Sequence, residues 1–222
     1  MRVVDLSHPV RTGMQVFPGD PSVELRSAAT VAADGFAVAQ LHLGSHTGTH
    51  LDAPLHTVQD GTAVDAMPLE ALMGPARIVS LPEPAAGAVV RWEQVSGQLE
   101  GLLPGTIVLF STGWSRYFNT PLYLQHPVFD AEIASRLVTA GVRLVGVDTL
   151  NPDRTPGPAE PGEGQGGALL PFHDVFLGSG GGIVENLANL AAVPWPDPWF
   201  SALPLRLEGL DGSPVRAVAF RR

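Results

Sequence analysis

The sequence predicts an α/β or α+β fold in which mixed strands alternate with a few helices, within one domain over residues 1–222. Short apolar runs bounded by glycine or proline recur along the chain, which is typical of buried strands. A few stretches have the apolar spacing and the end signals of a helix. The 25 glycines and 21 prolines are spread throughout, so many turns are expected between the elements.

Five strands and one helix can be assigned in chain order. The strands are expected over residues 3–6, 36–43, 77–81, 106–110 and 142–147. Asp130 is a good N-cap for a helix, and Gly141 is expected to end that helix just before the fifth strand. The apolar face of the helix is formed by Ile133, Leu137 and Val138.

The C-terminal part predicts a hairpin and, before it, a long loop and a short strand. Residues 203–207 and 215–220 have strand character and flank Asp211-Gly212, a favoured turn pair. Residues 151–167 are rich in proline, glycine and glutamate and are expected to form a loop. Glu185 follows three glycines and two apolar residues, which suits a short buried strand, with a surface position at the start of a helix as the alternative. The same glycines would suit a phosphate loop only if a lysine accompanied them.

Two residue types are missing, and their absence excludes several kinds of chemistry. The chain has no cysteine, which excludes disulfides, thiolate nucleophiles, sulfur-ligated zinc and iron–sulfur clusters. All 13 basic residues are arginine, so a Schiff base, a lysine-anchored pyridoxal phosphate and a Walker-type lysine are excluded as well. Catalysis is left to histidine, carboxylates, hydroxyls and bound metal.

The charge and the apolar pattern restrict the partners and the location. The net charge of −9 argues against nucleic acid and anionic membranes as partners. Asp5 interrupts the first apolar residues, so no signal peptide is expected, and no apolar stretch is long enough to span a bilayer. These features predict a cytoplasmic protein.

Four of the seven histidines lie within residues 42–56. The nearby glycines, threonines and proline disfavour a helix there and favour a turn that runs into extended chain. In extended chain, His50 and Asp52 point to the same side. Two imidazoles, such as His46 and His50, and a carboxylate are suitable ligands for a divalent ion, so a metal site is predicted. The histidines interpreted as structural or exposed are His8, His42 and His126.

Residues 46–56 carry a pattern that resembles a known family signature. They read His-Thr-Gly-Thr-His-Leu-Asp-Ala-Pro-Leu-His and have every fixed position of H-x-G-T-H-x-D-A-P-x-H. This is the signature of the metal-dependent cyclase-like hydrolases, a family that includes bacterial kynurenine formamidase and isatin hydrolase. Further similarity at residues 5–7, 17–20, 141–149 and 213–217 extends the resemblance over nearly the whole chain.

The resemblance implies two divalent ions, Zn²⁺ or Mn²⁺, and assigns their ligands. The ligands implied for the first ion are His46, His50 and Asp52. Asp52 bridges to the second ion, whose other ligands are His173 and Glu185, and His56 matches the family's proton donor and acceptor. The resemblance also implies a swivelling β/β/α fold with a mixed sheet, and assembly as a homodimer or homotetramer with pockets near the subunit contacts.

The substrate pocket departs from the formamidase pattern at two places. Phe17 stands where the formamidase branch carries a pocket-lining tryptophan, so an aromatic wall is retained without the indole N–H. The loop over residues 151–167 also differs. Further candidates for substrate contact, with core positions as the alternative, are Trp114, Phe172 and Phe176.

The favoured hypothesis is hydrolysis of an amide by a water that two bound ions activate, with His56 giving a proton to the leaving amine. The first substrate expected is N-formylkynurenine, an aryl formamide suited to an aromatic wall, which implies a role in tryptophan catabolism. Cyclic imides, lactams or lactones are the second possibility. Two other classes stay open: a non-haem iron oxygenase, which uses two histidines and a carboxylate, and a protein with a structural zinc.

Overall fold

A nine-stranded mixed sheet is the centre of the fold in the computed structural model, which describes residues 2–156 and 170–221. Two further pairs of strands lie outside this sheet. The strands are β1 (Arg2–Asp5), β2 (Glu24–Ala29), β3 (Val38–His42), β4 (His50–Asp52), β5 (Met73–Ser80), β6 (Val89–Val90), β7 (Ile107–Ser111), β8 (Val128–Phe129), β9 (Leu144–Val147), β10 (Gly182–Glu185), β11 (Trp199–Ser201), β12 (Gly212–Pro214) and β13 (Val218–Arg221). The predicted α/β class with a mixed sheet is confirmed.

The large sheet has a parallel centre and antiparallel flanks. Its strand order is β1-β13-β11-β5-β7-β9-β10-β4-β12. Strands β5, β7, β9 and β10 pair in parallel, whereas β4 and β11 join them antiparallel on the two sides. Parallel strands are usually covered on both faces, and β9 and β10 are accordingly buried along their whole length.

Four α-helices and several short 3-10 helices connect the strands in the described ranges. The α-helices are α1 (Val31–Asp34), α2 (Trp92–Val95), α3 (Ala131–Thr139) and α4 (Pro171–Gly178). The 3-10 helices are Pro54–His56, Val64–Ala66, Leu69–Ala71, Ser96–Gln98, Trp114–Tyr117, Pro121–Gln125 and Leu190–Ala192. Helix α3 begins as predicted, because the Asp130 carboxylate accepts a hydrogen bond from the backbone N of Glu132 at 2.9 Å. Gly141 follows its end with a φ of 82°, a left-handed conformation that favours glycine.

Apolar side chains cover both faces of the large sheet. Along β7, Val108 and Phe110 belong to one apolar layer. Ile107 and Leu109, at the alternate positions, belong to the other, as the period of two in a strand requires. The first layer also contains buried residues of α3 and α4, so both helices pack on that face.

All five predicted strands are present, with small shifts at their ends. The largest shift is at β5, which begins at Met73 rather than at residue 77. Gly74 and Pro75, which have poor strand propensity, are held in the sheet because they pair with β11. The short buried strand predicted at Glu185 is β10.

Strands β2 and β3 form a separate hairpin, here called the arm (residues 24–42). Every residue of β3 is exposed. The exposed fraction is 68% at Val31, 58% at Phe36 and 60% at Leu41. The alternating pattern therefore predicted a strand correctly, but its apolar side chains do not enter the core.

The predicted C-terminal hairpin is wrong. Strand β12 pairs with β4, whereas β13 pairs with β1 and β11. Within the described residues, a single bridge between Pro204 and Val215 joins the two predicted strands. The backbone N of Ala53 donates to the carbonyl oxygen of Asp211 at 2.9 Å, so Asp211-Gly212 leads into the edge of the large sheet instead of closing a two-residue turn.

Part of the predicted loop lies outside the described residues, namely residues 157–167. Its described part, residues 151–156, forms neither helix nor strand, and Asn151 and Asp153 are buried there. In the part of the chain that the structure describes, no helix is long and apolar enough to cross a membrane.

Gly212 lies so close to β4 that a larger residue does not fit. A Cβ atom there would lie 2.8 Å from the carbonyl oxygen of Leu51 and 3.0 Å from Cε1 of His46. We predict that Gly212→Ala forces β12 away from β4 and lowers the free energy of unfolding by about 1–3 kcal/mol, measured by denaturant titration. Gly178→Ala is the control, because an added Cβ at the end of α4 meets nothing within 4 Å. Equal stability of the two variants would contradict this prediction.

Candidate metal centre

Strand β4 places the middle of the histidine motif in the large sheet. It lies between β10 and β12, with His50 opposite Glu185. His50 and Asp52 point to the same face, and their side chains lie 3.2 Å apart, as the extended chain predicted. Leu51, between them, points to the other face and is fully buried in the apolar layer.

The segments before and after β4 add two more histidines. Gly48 has a φ of 63°, a conformation that favours glycine, and it turns the chain between His46 and β4. After β4, the 3-10 helix Pro54–His56 begins with proline, which needs no hydrogen-bond donor at that position, and ends with His56. The ring centroids of His46 and His56 lie 4.1 Å apart.

Helix α4 supplies His173, and a carboxylate distant in sequence holds the start of this helix. Asp153 accepts hydrogen bonds from the backbone N of Phe172 at 2.9 Å and of His173 at 3.1 Å. It therefore satisfies free N–H groups of the first turn, as an N-cap residue would. The same carboxylate lies 2.7 Å from Nδ1 of His173, so it orients the ring as well as the helix.

Three histidines converge on Asp52, and Glu185 lies beside two of them. His46 Nδ1 lies 2.7 Å and His50 Nε2 lies 3.2 Å from its Oδ1. His173 Nε2 lies 3.6 Å from Asp52 Oδ2 and 3.1 Å from Glu185 Oε1. Glu185 Oε2 in turn lies 3.4 Å from His50 Nε2. The fold therefore brings together all five residues predicted as ligands.

Each of the three histidines around Asp52 has its other ring nitrogen bound by a protein group. Nδ1 of His50 donates to the carbonyl oxygen of Gly48 at 2.8 Å. Nδ1 of His173 is held by the carboxylate that caps α4. Nε2 of His46 lies 2.8 Å from Asp211 Oδ2. Histidines that bind metals usually have such a second partner, because it sets the tautomer and the direction of the ring.

Three buried polar atoms of the cluster have no hydrogen-bond partner, although neighbours lie close: His50 Nε2, Asp52 Oδ2 and Glu185 Oε1. A buried polar atom without a partner is costly, so these three atoms indicate a further ligand. The cluster offers imidazole nitrogens and carboxylate oxygens. Both are common ligands of Zn²⁺, and the carboxylates also suit Mn²⁺. The residues present therefore fit divalent cations.

The carboxylates shift the pKa values of the cluster. Burial lowers the pKa of His46, but hydrogen bonds to Asp211 and Asp52 outweigh it and raise the pKa to about 9. Burial also lowers the pKa of His50, but the charge of Asp52 outweighs this effect and raises the pKa to about 10. Burial raises the pKa of Asp52, but the charge of His50 and the hydrogen bond from His46 hold it well below its usual value. A cation that binds here displaces protons from the imidazoles.

The ligand atoms form two groups within 4.8 Å: His46, Asp52 and His56, and His50, Asp52 and Glu185. Asp52 belongs to both groups, which is consistent with a bridging position. The division differs from the one that the resemblance implied, because His56 is included and His173 is not. His56 thus lies close enough to Asp52 to bind the same ion. A test of its predicted role as proton donor therefore has to measure bound metal as well as turnover.

A cavity of about 700 Å³, including its open mouth, leads to the cluster. Phe17, the residue expected to contact substrate, lines it together with the apolar side chains of Val16, Leu150 and Leu170. The carboxylate of Asp20 lines it too, and burial raises the pKa of that group. The site therefore combines an apolar wall with a polar end.

The other three aromatic candidates are not among the described residues that line this cavity. Phe172 and Phe176 are fully buried in the layer that contains α4. Trp114 is buried as well, and its indole N–H donates to the carbonyl oxygen of Tyr123 at 3.2 Å. These residues take the core positions that were the alternative.

Asp153 and Asp211 were not predicted as site residues. Asp153 lies in the predicted loop, and Asp211 was interpreted as a turn residue. Each reaches the histidines only through a contact between distant segments, so no spacing pattern marks it in the sequence. As expected, the histidines interpreted as structural or exposed lie outside the cluster: His8, His42 and His126.

Comparison with known protein families gives one family for most of the chain. Residues 4–154 match the family model described as "Putative cyclase". A kynurenine formamidase from Paracidovorax citrulli is 36% identical over 224 residues, which cover 96% of this chain and 94% of that protein.

Solved structures share the fold. Isatin hydrolase A from Labrenzia aggregata, bound to benzyl benzoate, has a TM-score of 0.83 and 25% identity, and the match covers 98% of this chain and 93% of that one. A potential metal-dependent hydrolase with cyclase activity has a TM-score of 0.78 and 27% identity, over 100% of this chain and 98% of that one. Because the family model matches more than half of the chain, and the formamidase is similar over nearly all of it, the chain belongs to the cyclase family.

Proposed function

We propose that the protein is a cytoplasmic, metal-dependent hydrolase of a carbon–nitrogen bond other than a peptide bond, with N-formylkynurenine as substrate. The observation that carries the proposal is the cluster of buried imidazole and carboxylate groups at the end of a cavity, in which three atoms have no hydrogen-bond partner. The similarity to a kynurenine formamidase supports a formamide as substrate. An iron oxygenase would leave His173 and Glu185 without a role, and a structural zinc needs no cavity.

The cluster is proposed to hold two divalent ions, Zn²⁺ or Mn²⁺. The proposed ligands are His46, His50 and Asp52 for the first ion, and Asp52, His173 and Glu185 for the second. When bound, such ions lower the pKa of a water molecule and polarise the substrate carbonyl. The chain itself contributes donors that are already in position, because the second ring nitrogen of each histidine is held by a protein group.

His56 is proposed to move the proton. It lines the cavity and its side chain is 28% exposed, so substrate can reach it. In the reaction, the water oxygen forms a bond to the carbonyl carbon, the carbon–nitrogen bond breaks, and the leaving nitrogen takes up a proton. An imidazole at this place accepts the proton from water and then donates it to that nitrogen.

Phe17 is proposed to contact the ring of the substrate. It packs against a buried group that includes Trp114, Tyr123 and Leu150, so its position is supported from behind. An aryl formamide bound in the cavity then places its aromatic ring against Phe17 and its formyl group at the imidazole and carboxylate groups of the cluster. A cyclic imide, lactam or lactone suits the same wall, and the isatin hydrolase with this fold supports it as the second candidate.

Two variants separate metal binding from proton transfer. Asp52→Ala removes the carboxylate shared by both ion sites, so we expect loss of bound metal, measured by elemental analysis. His56→Ala is expected to retain the metal and to lose turnover by about 10²–10⁴-fold. Glu70→Ala, at an exposed carboxylate, is the control and should change neither quantity. Loss of metal from the His56 variant would make this residue a ligand instead.

The products distinguish the two substrate classes. On metal-reconstituted protein we expect N-formylkynurenine to release formate, with a kcat/KM at least about tenfold above that for isatin, because the pocket orients a formyl group at the donors. A formate assay and the absorbance change on ring opening measure the two reactions. The reverse order would assign the protein to ring opening, and turnover of neither compound would overturn the proposed substrate.

We further propose that the protein is a homodimer in which the arm packs against a second copy, with a homotetramer that uses the same contact as the alternative. Val31, Phe36 and Leu41 are each more than half exposed on the arm. A two-stranded hairpin is only marginally stable in water by itself, and an exposed apolar patch of this kind marks a contact surface. A second copy would cover these side chains.

A double variant of the arm tests this assembly. Phe36→Glu with Leu41→Glu places charges in the contact, so we expect the mass measured by light scattering after size exclusion to fall to that of a monomer. Leu103→Glu is the control, since this residue is 72% exposed but lies outside the arm. A monomeric wild-type protein, or a double variant with unchanged mass, would refute the proposed contact.

A further inference from the structure

The carboxylate of Asp211 lies between two histidines whose proposed roles differ. Its Oδ2 lies 2.8 Å from Nε2 of His46, a proposed metal ligand. The same oxygen lies 3.4 Å from Nδ1 of His56, the proposed proton donor. The two rings are inclined by 43°, and their centroids lie 4.1 Å apart. One oxygen therefore contacts both imidazoles.

The two ring nitrogens of His46 have different partners. Nδ1 lies 2.7 Å from Asp52, the residue that belongs to both groups of possible metal ligands. Nε2 faces Asp211. A neutral imidazole has one N–H and one lone pair, so an N–H donated to Asp211 leaves the lone pair on Nδ1, on the side of Asp52. Asp211 thus favours the tautomer of His46 that can bind a metal.

The backbone of Asp211 is held on both sides. Its carbonyl oxygen accepts a hydrogen bond from Ala53 at 2.9 Å, and that of Leu210 accepts one from Val64 at 2.9 Å. The next residue, Gly212, pairs with Asp52 in the ladder between β12 and β4. The sheet that positions Asp52 therefore positions Asp211 too.

We propose that Asp211 is a positioning residue that orients His46 for metal binding and His56 for proton transfer. The first part stands on the contacts of His46, and the second rests on the proposed function. With Nδ1 of His56 held by Asp211, Nε2 is the ring nitrogen that exchanges a proton with substrate. Asp211 acts through the two histidines and does not itself touch the substrate.

The variant Asp211→Asn tests the contact with His46 through metal affinity. Asparagine keeps the size but removes the negative charge and replaces one carboxylate oxygen by an N–H donor. One neutral oxygen is then left to accept from both imidazoles, and it holds them more weakly than a carboxylate does. In metal-free protein titrated with Co²⁺, we expect the dissociation constant to rise about 10–100-fold, together with a changed visible absorption spectrum of the bound ion. The matched control is Asp65→Asn. Asp65 accepts a hydrogen bond at 3.0 Å from Gly209, which lies two residues before Asp211, so this variant changes a carboxylate that contacts the same segment.

A double variant shows whether the effect passes through His46. In His46→Gln protein, Asp211→Asn is expected to cause no further loss of Co²⁺ affinity. An equal loss in both backgrounds would overturn the proposal. An affinity of the single variant within about twofold of wild type would overturn it too. An equal loss of affinity in Asp65→Asn would also overturn it, because a general disturbance of the segment would then explain the result.

Turnover tests the contact with His56 separately. With saturating metal, we expect Asp211→Asn to lower kcat at least about tenfold while KM stays unchanged, because an incorrectly oriented imidazole affects proton transfer and not substrate binding. An unchanged kcat would overturn the His56 part. If the wild-type protein turns over none of the substrates tested but the Co²⁺ results are as expected, the proposed function fails and the role of Asp211 toward His46 stands.

Discussion

The charge of Asp52 is the constraint on which the site depends. This carboxylate is fully buried beside the centre of the large sheet, and an ionised group in that position requires partners of opposite charge. His46, His50 and His173 surround it. Two of these imidazoles are held from behind by further carboxylates and the third by a backbone carbonyl. The result is a chain of carboxylate, imidazole and carboxylate in which each group sets the orientation of the next, and the proposed divalent cation would bind at its centre.

The fold supplies this arrangement from rigid elements. Strand β4 is short, but β10 and β12 pair with it on both sides, so His50 and Asp52 cannot shift relative to Glu185 and Asp211. The capped start of α4 fixes His173 in the same way. Close approach of the backbones makes the packing possible, which is why glycine stands at position 212. A site held by paired strands and a helix start needs little reorganisation when a ligand binds.

Local signals predicted the elements that depend on few residues. Asp130 and Gly141 determined both ends of α3, because a cap and a left-handed residue act within one turn. Apolar runs predicted the central strands correctly, because a strand that is buried on both faces has a continuous apolar pattern that can be recognised locally. The C-terminal hairpin was predicted wrongly because the preference of Asp211-Gly212 for a tight turn is weaker than the hydrogen bonds that β4 offers. The strand pattern of the arm was interpreted correctly. Its apolar side chains are exposed and do not belong to the core of this chain, which a local pattern cannot reveal.

By itself, the sequence determined which chemistry is available and where it is concentrated. The absence of cysteine and lysine leaves oxygen and nitrogen donors, and the spacing within residues 46–56 puts His50 and Asp52 on one side of an extended segment. Only the tertiary structure decided which distant groups complete the site. Asp153 and Asp211 carry no pattern, and a helix start and a strand pair bring them to His173 and His46. The physical reason is that coordination is a matter of a few ångströms between side chains, whereas sequence spacing reports distance only within one turn or one strand.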